Sequence, residues 1–117
     1  MKQKKQKRTT INLSIDDVSA ILCALPLISY LEADTEAQTQ INNALMVTAT
    51  EKLLTHNRNF TPNEIRIIYI AIACGANLGT YFPDGEIDAE WKAELAGHFF
   101  TLNRLYQQTK DFILPQN

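Results

Sequence analysis

Four stretches of the chain repeat apolar residues at helical spacing, separated by short polar or turn-forming segments. The first is the run VSAILCALPLISYL, from Val18 to Leu31. Ser14 can cap it with Asp17 three residues on, and Asp16 adds charge that a helix dipole favours at that end. Pro26 removes the bond to the carbonyl of Leu22, so the pattern predicts a kink or split there. Ahead of the run, TTINLS alternates polar and apolar residues. A short strand over 9–13 follows, with Ile11 and Leu13 on one face and Thr10 and Asn12 on the other.

A second helix is predicted from Glu36 to His56, with Thr35 and Gln38 as a capping box and a core stripe of Ile41, Ala44, Leu45, Thr48 and Ala49. FTPNE opens the third: Thr61 is the cap, Pro62 the first helical residue, and Glu64 reaches back. The IRIIYIAIA that follows is rich in β-branched residues, yet the cap and the length of the run before the FPDG turn predict one helix up to Tyr81. A fourth helix is predicted from Asp88 to Ile113. Its apolar face starts at Ile87 and Trp91, passes Leu95, His98, Leu102 and Leu105, and ends at Phe112 and Ile113. The fold class is therefore all-α: four main helices in a bundle-like single domain over 9–117, behind a disordered basic tail over 1–8.

The third helix is apolar on both sides. Ile65, Ile68 and Ile72 lie on one face, and Ile67, Ile70, Cys74 and Leu78 lie on the opposite one. A helix in a simple four-helix bundle keeps one wet face, so this one predicts further cover from a second copy of the chain or another protein. Ile67, Ile70, Cys74 and Leu78 are the candidate contact residues, joined by Phe100 on the back of the fourth helix. The small ridge of Ala71, Gly75 and Gly79 predicts a close helix crossing, against Ala20 and Ala24.

The apolar runs are too short for a membrane. A fourteen-residue helix spans about 21 Å, against roughly 30 Å of hydrocarbon. The first run is also set apart from the basic start by TTINLSIDD, unlike a secretory leader. Composition adds that 45% of the residues are apolar and 21% charged, as in ordinary globular proteins. The two cysteines, Cys23 and Cys74, sit in apolar runs without metal-ligand spacing, which predicts reduced core residues and a cytoplasmic protein. The net charge of -2 hides an asymmetry: Lys2, Lys4, Lys5, Lys7 and Arg8 are five of the eleven basic residues, so the rest of the chain is acidic.

Little in the sequence points to catalysis. His98 could serve as a ligand or base, but no Glu-x-x-His motif accompanies it, and a packed histidine is the simpler reading. GANLGTYFPDG has neither the preceding strand nor the lysine of a phosphate loop. No catalytic residue, metal or cofactor is assigned.

The segment KRTTINLSIDDV places a basic tail, a short strand, a cap and a helix in succession. In this it resembles the start of ribbon-helix-helix DNA-binding proteins. The resemblance implies a DNA-binding regulator or antitoxin in which Lys7, Thr10 and Asn12, with Lys5 and Arg8 beside them, contact DNA. It covers about fifteen residues; Pro26 and Tyr30 then stand where that family turns on a glycine, and two more large helices follow. The leading expectation remains a non-enzymatic helical module that acts by protein association, most simply as a homodimer.

Overall fold

The computed structural model describes residues 9–10, 12–31, 33–83, 85 and 87–113, with backbone alone at 9, 10 and 111–113. The tail of 1–8 and Ile11 thus lie outside the described residues. Among the described residues the chain is all-α apart from one two-residue pairing. β1 (Thr9–Thr10) leads to α1 (Ile15–Ala24), which passes into a 3-10 segment (Leu25–Tyr30). Then come α2 (Glu36–Leu54), β2 (Asn59–Phe60), α3 (Pro62–Ala76), the single turn α4 (Leu78–Tyr81), α5 (Ala89–Gly97) and α6 (Phe99–Ile113). β1 and β2 are antiparallel, with Thr9 opposite Phe60 and Thr10 opposite Asn59. Asn12 and Leu13, which the alternation also places in the strand, stand outside it.

The helix starts follow their sequence signals. Ser14 Oγ accepts from Asp17 N at 3.1 Å while Asp17 Oδ2 accepts from Ser14 N, a complete capping box for α1. Thr61 and Glu64 repeat it for α3, with Pro62 at the first helical position. At α2 only half forms: Thr35 Oγ1 accepts from Gln38 N, but the Gln38 amide turns to Asn42 Oδ1 at 3.0 Å. Pro26 splits the first run as predicted, and the 3-10 continuation buries Leu25, Leu27 and Ile28. α2 ends in a Schellman motif: Asn57 N donates to Lys52 O, His56 N to Leu53 O, and His56 takes the left-handed position at φ 62°.

Two predicted helices are interrupted. The third breaks at Asn77, whose side-chain amide donates to Ala73 O at 2.9 Å and whose backbone leaves helical angles. The fourth is two helices, because Gly97 and His98 form the last turn of α5, with His98 N bonded to Leu95 O, and the chain restarts at Phe99. The apolar face survives this break, with Ile87, Leu95, Leu102 and Leu105 buried and Trp91, His98 and Tyr106 half-buried; the Phe112 and Ile113 side chains lie outside the described residues. On α2 the buried stripe is rotated from the predicted one. Ala49 and Leu53 are buried and Leu45 and Met46 half-buried, whereas Ile41, Ala44 and Thr48 face outward. Apolar and small polar residues alternate all round α2, so its periodicity does not single out a face.

α3 is the central element, packed by α6, α2, the 3-10 segment and α1. These four neighbours cover most of both apolar faces and leave Ile65 and Ile70 half-buried. Ile67, Ile68, Ala71, Ile72, Cys74 and Gly75 are all buried within the one chain, which removes the need for an outside companion at this helix. The predicted close crossing is present at Gly75. A Cβ there would lie 3.0 Å from Leu102 Cδ1 and 3.2 Å from Ala24 Cβ, whereas Gly79 faces open space.

The two glycines should therefore respond in opposite directions. Gly75→Val should destabilise by about 2–3 kcal/mol because the Ala24 methyl is fixed to backbone, and Gly79→Ala should stabilise by up to about 1 kcal/mol. His56→Gly should likewise add about 1 kcal/mol by relieving the left-handed position. Urea midpoints of the three variants check these signs.

Candidate functional site

Each predicted contact residue has a definite place. Ile67 and Cys74 are 3% and 0% exposed, so the contact role predicted for them is corrected: both are core of the single chain. Ile70 and Leu78 are half-buried against that core. Phe100, in the first turn of α6, is 87% exposed. Its ring meets Phe99 edge to face, with centroids 6.0 Å apart, and Phe99 is itself 44% exposed.

The break at Asn77 and the break at His98 together open a groove. The end of α3 and α4 forms one wall and α5 with the start of α6 the other, enclosing about 500 Å³ lined by Ala76, Leu78, Gly79, Leu95, Ala96 and Phe99. Most of the lining is small or apolar; Asn77, Thr80 and Lys92 supply the polar lining. The structure thus brings Leu78 and the Phe99–Phe100 pair to one end of the molecule, while Ile70 does not line this groove. Tyr81 is half exposed at the end of α4, its hydroxyl pKa pushed up by burial and then by Cys74 and Tyr106.

A second open cleft, of about 450 Å³, gathers Ser19, Cys23, Trp91, Glu94 and His98 between α1 and α5. The Trp91 indole N–H donates to Cys23 O at 2.8 Å and ties the two helices together. Burial and then the Glu94 carboxylate push the Cys23 thiol pKa up, against a smaller downward pull from Trp91. The thiolate is therefore disfavoured where a nucleophile would need it. Burial alone pushes Cys74 up to about 12. Both cysteines are free, and among the described residues no group of three or more His, Cys, Asp or Glu is placed to hold a metal.

Two ion pairs are not legible in the sequence. Arg104 Nη2 donates to Asp17 Oδ1 at 2.5 Å, joining α6 to the cap of α1 across 87 positions. Lys52 Nζ donates to Glu64 Oε1 at 2.6 Å and to Asn59 O at 3.0 Å, and it stands 5.9 Å over the Phe60 ring. Burial raises the pKa of each carboxylate, but bonds and charge from Arg104 and Ser14 at Asp17, and from Lys52, Thr61 and Thr48 at Glu64, leave both below the usual carboxylate range. Of the predicted DNA contacts, Thr10 is in the β pairing, Asn12 is exposed beside a 360 Å³ cleft that also holds Asp17 and Arg104, and Lys5, Lys7 and Arg8 lie outside the described residues. Among the described residues no helix is long and apolar enough to cross a membrane. The chain matches no family model, no curated protein and no solved structure, so the geometry is the only ground for a functional reading.

The two depressed carboxylates set a pH dependence. Their unfolded forms bind more protons than the native ones in the acid range, so the stability they contribute is present above about pH 4.5 and is lost as pH falls through the native values. Glu64→Gln should cost more stability at pH 7 than at pH 3, because below the unfolded-state value the stability contributed by the depressed carboxylate has already begun to fall. Urea unfolding at both pH values measures the gap, and an equal gap at each would refute the linkage.

Proposed function

We propose that the chain is a small cytoplasmic protein-interaction module without catalytic activity, which associates most simply as a homodimer. The supporting observation is Phe100. A phenylalanine 87% exposed, set edge to face against a second half-exposed ring that lines a groove of mostly small and apolar side chains, is an anchor beside a receptacle. An anchor and a groove on the same surface form a self-complementary pair under a two-fold axis, each Phe100 entering the groove of the other copy. Leu78 and Phe100 are retained from the sequence reading as contact residues, and Phe99 and Ala96 join them.

Phe100→Asp should leave the urea midpoint within about 0.5 kcal/mol of wild type, because the ring is outside the core. It should weaken dimerisation about 1,000-fold, since the loss of about 2 kcal/mol is counted once per copy. Light scattering after size exclusion at tens of micromolar reads the outcome. A wild-type monomer at that concentration would sink the proposal.

A further inference from the structure

We infer that the cleft between the N-terminal halves of α2 and α3 binds a small aliphatic carboxylate, its charge held by Arg66 and its alkyl body laid on an apolar floor. This site is separate from the Phe99–Phe100 groove and does not depend on the homodimer. Arg66, Asn63 and Asn42 line the cleft together with Ile41, Leu45 and Ile67, around a volume of about 260 Å³. At about 30 Å³ for each water-sized group, that is room for a ligand of roughly eight or nine heavy atoms. Two departures from the local sequence signals meet here. Ile41 belongs to the periodic stripe of α2 yet is 51% exposed, at this cleft. Gln38 stands where it would close the α2 capping box, yet at this cleft its amide donates to Asn42 Oδ1 at 3.0 Å. An unpaired cation joins them: Arg66 is in neither of the ion pairs found among the described residues, Lys52–Glu64 and Arg104–Asp17.

The polar lining is made of donors. Arg66 brings a planar guanidinium with N–H groups and no acceptor, the geometry that takes both oxygens of a carboxylate at once. With its Oδ1 engaged by Gln38, what Asn42 has left to offer is chiefly its two Nδ2–H groups. Asn63, exposed in the first turn of α3, adds a second amide. Among the described residues no carboxylate lines the cleft, and Glu64, two positions before Arg66, is taken by Lys52 and by its own cap at Thr61. The cleft therefore holds one uncompensated positive charge and matches one negative charge. Its floor selects further: Ile41, Leu45 and Ile67 offer nothing to a bare inorganic anion, which would lose water against them, but gain by covering an alkyl body. Ile67 is 3% exposed and fixed in the core, so that part of the floor is formed before any ligand arrives.

The test is a titration of the full, nitrogen-labelled chain with isocaproate, a branched six-carbon acid, read in proton–nitrogen correlation spectra. Saturable shifts are expected at the side-chain amides of Asn42 and Asn63 and in the backbone around Ile41 and Arg66. Isocaproamide, which keeps the shape without the charge, should bind at least tenfold more weakly. Arg66→Gln should weaken the acid by about 10- to 100-fold and leave the urea midpoint unchanged, because the side chain is exposed and unpaired. Arg66→Lys, which keeps the charge but not the planar fork, should restore part of the affinity. Absence of saturable shifts at millimolar acid would overturn the inference. Equal affinity for the amide would do the same, since the charge would then contribute nothing, and so would inorganic phosphate binding as tightly as the acid, since the floor would then contribute nothing. Shifts centred on Arg104 would place the acid in the other arginine-lined cleft and overturn it as well.

Discussion

One constraint organises this chain: a fifteen-residue helix that is apolar on two sides beyond its first turns has to be hidden by what remains of a 117-residue chain. α6, α2, the 3-10 segment and α1 each take a side of α3, and the close approach at Gly75 lets Ala24 and Leu102 meet its backbone. Several secondary features serve this burial. Splitting the first apolar run at Pro26 gives α3 two covering elements from one run, α1 and the 3-10 segment. The turn at His98 comes between Leu95 and Leu102, and both stay buried across it. Apolar area removed from water contributes roughly 25 cal/mol per Å², so continuity of the cover matters more than the straightness of any helix.

The polar counterpart is a device used twice. Asp17 and Glu64 are each the third residue of a helix, each closes a capping box, and each also takes a distant cation. Local helix initiation and tertiary docking thereby share one carboxylate. Loss of the charge removes a cap and a cross-link at once. The Lys52–Glu64 pair further holds Asn59 O and the Phe60 face, which fixes β2 and gives β1 a partner.

The caps and the proline split were legible because they depend on residues within four positions of each other. Ser14 with Asp17, Thr61 with Glu64, and Pro26 needed no tertiary information. The reading of α3 failed for a physical reason: periodicity reports how many faces are apolar but not how many neighbours are present. A pattern of four helices undercounts the cover when one run splits in two. Ile67 and Cys74, which that undercount makes candidate contacts, are core, as the apolar run around Cys74 itself predicts. The stripe of α2 was misplaced because Thr48 and Ala44 are as compatible with water as with a core. At the candidate groove, Phe100 stood out as an aromatic on the back of a helix, but the breaks at Asn77 and His98 that create the groove arise from a side-chain bond to Ala73 and a weak glycine turn. The arginine bound to Asp17 is 87 positions away and left no signal.

The groove and the β pairing occupy opposite ends of α3. The groove with Leu78 and Phe99 begins at its C-terminal end, while β2 and the cap at Thr61 sit at its N-terminal end. Fifteen residues of helix separate them by about 22 Å, more than twice the Debye length of about 8 Å at physiological salt. A charge at one end is therefore screened from the Lys52–Glu64 pair at the other. The separation comes from the same buried helix that the fold is built to hide, so the hydrophobic constraint also fixes the spacing between the groove and the β pairing.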